Sequence, residues 1–169
     1  HDITARKDAE AGLRASEERF RGIFERSDAG IALWDAAGVY TSVNPAFAEL
    51  VGYRVEELVG RMKERDLLHP DELKRTDVSG RAFTMTRGHF RHDQRYVRKD
   101  GTTVWGRVSV SLLRGAGDHP DYYFIAVVSN ISEARAASEK IERLNAELEE
   151  RVAARTEELR SAVKEMEAF

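Results

Sequence analysis

Histidine, cysteine and the carboxylates carry most acid–base, nucleophilic and metal chemistry, and in this chain their spacing supplies little of it. Five His and 30 Asp plus Glu are spread over 169 residues, with no Cys at all. Without Cys there is no disulfide, no thiolate nucleophile, no Cys-based zinc site and no cysteinyl cofactor adduct. His89 and His92 stand three apart at the start of a strand-like run, where they face opposite sides and make a poor metal pair. The glycines form neither Gly-x-Gly-x-x-Gly nor Gly-Lys-Thr, so no phosphate loop is present. The carboxylates fall mostly on helical surface and give no localised acid–base pair. A net charge of -3 argues against nucleic acid, which calls for a basic face. No apolar run approaches the length of a membrane span, and the start is not a basic stretch followed by apolar residues. The expected class is a non-catalytic, cytoplasmic module without metal, and the missing initiator Met marks it as a piece of a longer chain.

Composition divides the elements that frame such a module. From Ser132 to Phe169 there is neither Gly nor Pro, and Ala, Glu, Arg and Leu dominate. One uninterrupted helix of roughly 35 residues, about 50 Å long, is expected there. Ala134, Ala137, Ile141, Leu144 and Leu148 follow a 3-4 spacing, and Val152, Leu159, Ala162, Met166 and Phe169 form a second run with Arg155 at the missing position. Both runs fit a parallel homodimeric coiled coil with Ile141, Leu144, Leu148, Val152, Arg155, Leu159 and Met166 in the seam. Leu148 and Val152 are both seam positions four apart, a stutter that relaxes the supercoil.

At the other end Leu13, Phe20, Ile23 and Phe24 share one face of an amphipathic helix, expected from near Lys7 or Asp8 to about Arg26. Ile31–Trp34 and Val39–Val43 read as a hairpin around Asp35-Ala36-Ala37-Gly38. Asn44 caps a helix that starts at Pro45, carries Phe47, Leu50 and Val51 inward and stops at Gly52. Short helices follow at Val55–Leu58, Met62–Leu68 and Asp71–Thr76, while Ser79 to Arg87 fits no single element. Strands then run from Phe90 to Arg98 and from Thr102 to Leu113 about Asp100-Gly101, and from Tyr122 to Ile131 after a turn at Gly115-Ala116-Gly117-Asp118. The last strand is apolar on both faces, so the short helices must cover one and the N-terminal helix or a partner subunit the other. The order is α+β with one antiparallel sheet. Phe47, Leu50, Met62, Leu67, Phe83 and Val108 are expected to line the space between sheet and short helices. Such an apolar set has little to orient a polar ligand, so no cofactor is expected and any small ligand is unidentified.

Several local motifs stand together in one order. They are Ser16-Glu17-Glu18-Arg19-Phe20-Arg21, Val43-Asn44-Pro45-Ala46-Phe47, Gly52-Tyr53 with Glu56-Glu57-Leu58-Val59-Gly60, and Leu68-His69-Pro70-Asp71-Glu72. Arg98-Lys99-Asp100-Gly101-Thr102 and Trp105-Gly106-Arg107 complete the series. With that spacing, residues from about Ser16 to Ser132 resemble the PAS sensor-domain family. The resemblance implies a five-stranded antiparallel sheet with short helices over one face, and sensing or docking rather than catalysis. It also gives His69 a structural or solvent-facing place. Haem-binding members carry an axial His on the helix before the third strand; residues 71–87 contain none, so haem is not expected, and nothing favours flavin.

In the same family an Asp-Ile-Thr motif closes the last strand, and its Asp pairs with the Arg of a Trp-x-Arg motif. Here Asn130 and Ser132 replace the Asp and Thr around Ile131, so a relay of Trp105, Arg107, Asn130, Ile131 and Ser132 has a neutral amide where the family has a charge. Asp2-Ile3-Thr4-Ala5-Arg6 echoes Asn130-Ile131-Ser132-Glu133-Ala134-Arg135. Residues 1–15 are therefore read as the tail of a preceding module and a linker helix, 16–132 as the PAS domain and 133–169 as a signalling coiled coil. Glu150–Leu159 and Glu165–Phe169 resemble the linker before the phosphotransfer domain of sensor histidine kinases. The expected function is the sensory and transmission module of such a kinase, its partners being a second copy and a downstream kinase or other effector in the same chain. The alternatives are a constitutive dimerisation spacer that binds nothing, and a module feeding a cyclic-dinucleotide enzyme.

Overall fold

The computed structural model describes residues 2–76, 86, 88–115 and 121–169. The first helix, α1, runs over Asp2–Arg26, starting about five residues before the apolar stripe suggested. Ala5, Ala9 and Ala11 are strong helix formers and Arg6 Nε bonds Glu10 Oε1 at 3.1 Å one turn on, so the helix continues where it has nothing apolar to bury. Strands β1 (Gly30–Asp35) and β2 (Tyr40–Val43) form the first hairpin. Its turn is held by Asp35, whose Oδ1 accepts from the backbone N–H of Ala37 (2.9 Å) and of Val39 (3.0 Å).

Helix α2 (Pro45–Val51) begins as its sequence dictates, with Asn44 as cap and Pro at the first position, and ends at Gly52 in the left-handed conformation, φ +75°. After α3 (Val55–Leu58) the expected helix over Met62–Leu68 is only a 3-10 turn at Glu64–Leu67. The reason is a competing β-type contact. The Met62 carbonyl accepts from Tyr40 N–H at 3.1 Å, and Val39 bridges Lys63, so this backbone is committed to β2 before it can coil. Helix α4 (Pro70–Thr76) completes the layer.

Strands β3 (His89–Val97), β4 (Thr103–Arg114) and β5 (Tyr122–Asn130) join the hairpin in one five-stranded sheet, ordered β2-β1-β5-β4-β3 with every neighbour antiparallel. Residue 83, most of the stretch 79–87 and the turn at 116–118 lie outside the described residues. The inner sheet face supplies Ala32, Val104, Val108, Ala126 and Val128, buried against Phe47, Val51, Leu58 and Leu67. Burying each larger apolar side chain contributes about 1.5–3 kcal/mol. On the outer face Leu113, Tyr123 and Val127 remain 38–44% exposed, and α1 buries no residue, so it does not supply the cover expected of it. The last helix, α5 (Ser132–Glu167), is continuous over 36 residues, buries none of them and forms a unit of its own.

Candidate functional site

Strand alternation turns Phe90, His92, Gln94 and Tyr96 of β3 to the same side, towards the helices. Together with Val108 and Val110 of β4, Phe124 and Ala126 of β5, and Trp34 of β1, they wall a cavity of about 200 Å³. Tyr40, Phe47, Glu64, Arg65, Leu68 and Leu73 close it from the β2 and helical side. Aromatic rings meet around it in sequence. Trp34 stacks on Phe124 at 5.7 Å, Tyr40 lies tilted to Phe47 at 5.6 Å, and Tyr96 meets Phe47 edge-on at 6.0 Å.

The wall is not uniformly apolar. His92 Nε2 lies 2.6 Å from Gln94 Oε1. Burial raises the pKa of both Tyr40 and Tyr96, so both phenols stay neutral. The polar side chains of the wall include Asp35, Glu64, Arg65, His92 and Gln94, interleaved with the rings.

Of the six residues expected here, Phe47 and Val108 line the cavity. Leu67 is fully buried in the core, Leu50 and Met62 pack against it, and Phe83 lies outside the described residues. Sequence reasoning passed over His92, Gln94 and Tyr96, although their period-2 spacing after Phe90 was the available signal. It also passed over Arg95, on the other side of the same strand. Arg95 Nε bonds Glu72 Oε1 at 2.9 Å and its Nη2 bonds Asp71 Oδ2 at 3.1 Å, with the guanidinium 5.3 Å above the Trp105 ring. That cluster fixes the start of α4, hence one wall of the cavity, to β3.

The expected relay residues divide between the two sheet faces. Gly106 pairs with Asn130 and Arg107 with Ser129, so Arg107 and Asn130 point to opposite sides. Arg107 makes a two-pronged bond to Asp93 on β3, at 2.8 and 3.1 Å. Trp105 and Ile131 are joined through the backbone, Ile131 N–H donating to the Trp105 carbonyl at 2.9 Å. Ser132 opens α5, where Ile141, Leu144, Leu148, Val152, Leu159 and Met166 are all exposed and Arg155 bonds Glu158 on its own helix at 2.8 Å. Among the described residues no group of three or more His, Asp or Glu is placed to hold a metal, and no helix is long and apolar enough to cross a membrane.

Comparison with known families finds the PAS fold over residues 18–131. The sensor histidine kinase TmoS of Ectopseudomonas mendocina is 31% identical over 139 residues, which are 80% of this chain and 14% of that protein. The probable diguanylate cyclase DgcE of Escherichia coli is 31% identical over 146 residues, 83% of this chain and 12% of that protein. Among solved structures, a PAS domain from Colwellia psychrerythraea aligns with a TM-score of 0.63 at 17% identity, covering 69% of this chain and 97% of that one. The PAS domain of an HTR-like protein from Haloarcula marismortui aligns with a TM-score of 0.59 at 25% identity, covering 74% and 99%.

Proposed function

This chain belongs to the PAS family, and from that premise we propose that it is the sensory and transmission module of a cytoplasmic sensor histidine kinase. Residues 16–132 sense and 133–169 transmit, after a preceding module whose tail and linker are residues 1–15. The cavity between sheet and short helices is the sensory pocket. A change in its packing passes along β4 and β5 to Asn130, Ile131 and Ser132, then into a parallel coiled coil of two α5 helices. The observation that carries this reading is the direct join of sheet and long helix. Ile131 alone separates β5 from α5, and its N–H is bonded to the neighbouring strand at Trp105. The seam spacing and exposure of Ile141, Leu144 and Leu148 support the dimer.

A second output is favoured by one observation, the similarity to a probable diguanylate cyclase over 83% of this chain. Placing the module before a cyclic-dinucleotide enzyme leaves the sensing half unchanged. Sedimentation of this chain tests the shared mechanism. The chain is expected to be dimeric at micromolar concentration, and the double variant Leu144→Asp, Leu148→Asp monomeric, since charges in a dry seam cost several kcal/mol. A double variant that stays dimeric removes α5 as the main interface. Autophosphorylation against cyclic-dinucleotide synthesis by the longer protein separates the two outputs.

A further inference from the structure

Resting on the two-copy reading proposed above and adding an interface to it, we infer that α1 is a second dimerisation helix. It packs in parallel on α1 of another copy through Ala9, Leu13, Ser16 and Phe20.

The ground for this is a repeat in phase. Laid on each other at Asp2-Ile3-Thr4 and Asn130-Ile131-Ser132, the two segments place Ala9 on Ala137, Leu13 on Ile141, Phe20 on Leu148 and Phe24 on Val152. Those are the seam positions of α5, and the step of four from Phe20 to Phe24 repeats the offset from Leu148 to Val152. Two positions are polar in α1. Ser16 falls on Leu144, and Arg6 falls on Ala134 with its guanidinium bonded to Glu10 of its own helix at 3.1 Å.

This seam is uncovered within one chain. The domain holds α1 at its last turn, where Asn44 Nδ2 donates to the Phe24 carbonyl at 2.9 Å. Residues 2–21 are all exposed, Leu13 at 61% and Phe20 at 59%. A helix gains most of its stability by packing an apolar face, and here that face stands in water. The width of the stripe selects the occupant. A helix lying on a sheet shows a broad apolar face, whereas a seam between two helices needs only alternating steps of three and four. In α1 the line is narrow, with Glu10 and Glu17 along one flank and Gly12, Arg19 and Arg26 along the other. Charge selects the direction. An antiparallel pair sets glutamate flank against glutamate flank and arginine against arginine, while a parallel pair sets each acidic flank against a basic one.

The test uses the absence of Cys, which lets a single introduced Cys report only on itself. The chain carrying Leu13→Cys or Ser16→Cys is oxidised at micromolar concentration, beside Ala11→Cys and Glu18→Cys on the opposite face and Leu144→Cys in α5. Since α1 buries no residue, its variants keep the fold, as circular dichroism should show. A disulfide needs Cα atoms within about 7 Å, so identical positions join only across the seam of a parallel, in-register pair. Linked dimer is expected to form roughly tenfold faster at 13 and 16 than at 11 and 18. Linking at 13 and 16 without linking at 144 upholds the inference and overturns α5 as the main interface. Equal rates at all four positions of α1, with linking at 144, overturn the inference and leave the α5 dimer standing. No linking anywhere, 144 included, overturns both. In a mixture of Phe20→Cys and Val127→Cys chains, a mixed link that outruns the link between two Phe20→Cys chains seats α1 on the partner's sheet and overturns the inference.

Discussion

Asn44 shows how much one side chain holds together. It is fully buried, and all four of its hydrogen-bond positions are used. Oδ1 accepts from Ile31 N–H (2.7 Å) and Phe47 N–H (2.9 Å), while Nδ2 donates to the carbonyls of Phe24 and Ala29, each at 2.9 Å. The end of α1, the start of β1 and the first turn of α2 therefore meet on one amide. Asn44→Ala is expected to cost about 3 kcal/mol in urea unfolding, from a lost cap and several buried groups without partners. Asn44→Asp should be no milder, because a carboxylate keeps the acceptor but turns both donors into a charge facing carbonyls. Glu57 makes a prediction in pH. Its bond to Lys99 Nζ at 2.6 Å, then the Arg54 N–H it accepts, holds its pKa at about 2 against the usual 4.5. A carboxyl depressed in the folded state stabilises fully above the unfolded value and loses that contribution as pH falls through the folded one. The advantage of wild type over Glu57→Gln in urea midpoint should therefore be constant above pH 4.5 and vanish as pH falls towards 2. Added salt should shrink it, since the pair is at the surface.

At the scale of elements, the closest fit is between β3, β4 and β5. Gly106 lies where a Cβ would come within 2.8 Å of both the Tyr96 ring and a Val128 methyl, so only glycine lets the three strands pack. Tyr96 is also a wall of the cavity. Gly106→Ala is expected to push that ring aside and to destabilise by about 1–3 kcal/mol. Chemical denaturation of the variant reads the effect. Unchanged stability would mean that the sheet has slack at its centre. The β3–β4 turn is better insulated. Asp100 Oδ1 takes both the hydroxyl (2.6 Å) and the N–H (2.9 Å) of Thr102, and Gly101 sits at φ +84°.

For the whole molecule, the question is how a packing change near a sheet reaches a helix of 36 residues. A continuous heptad offers one register, whereas the offset between Leu148 and Val152 offers alternatives close in energy. Arg155 falls at a seam position of the proposed coiled coil and makes its ion pair with Glu158 on its own helix, with its side chain exposed. In the proposed dimer, amides from 148 to 159 should exchange hydrogen faster than those from 141 to 148. Arg155→Leu should slow that exchange and, in the longer protein, hold its output in one state. Uniform exchange along the helix would make the stutter a packing detail without a regulatory role.

What the sequence settled by itself is what neighbours in the chain decide. The Asn44-Pro45 cap, the Asp100-Gly101 turn, the strand alternation and the unbroken run after Ser132 all act within a few residues, and so each element was legible and with them the PAS fold. The tertiary structure alone decided the rest. The 3-10 turn at Glu64–Leu67 was shortened by β2, some twenty residues earlier in the chain. Arg107 found Asp93 across a strand pair, and Arg95 found Glu72 on a helix. The polar wall of the cavity belongs to the same class. His92, Gln94 and Tyr96 come to line one cavity only when the pairing of β3 with β4 turns that face inward. Periodicity tells which residues share a face of a strand; which face the core takes is set by partners distant in sequence.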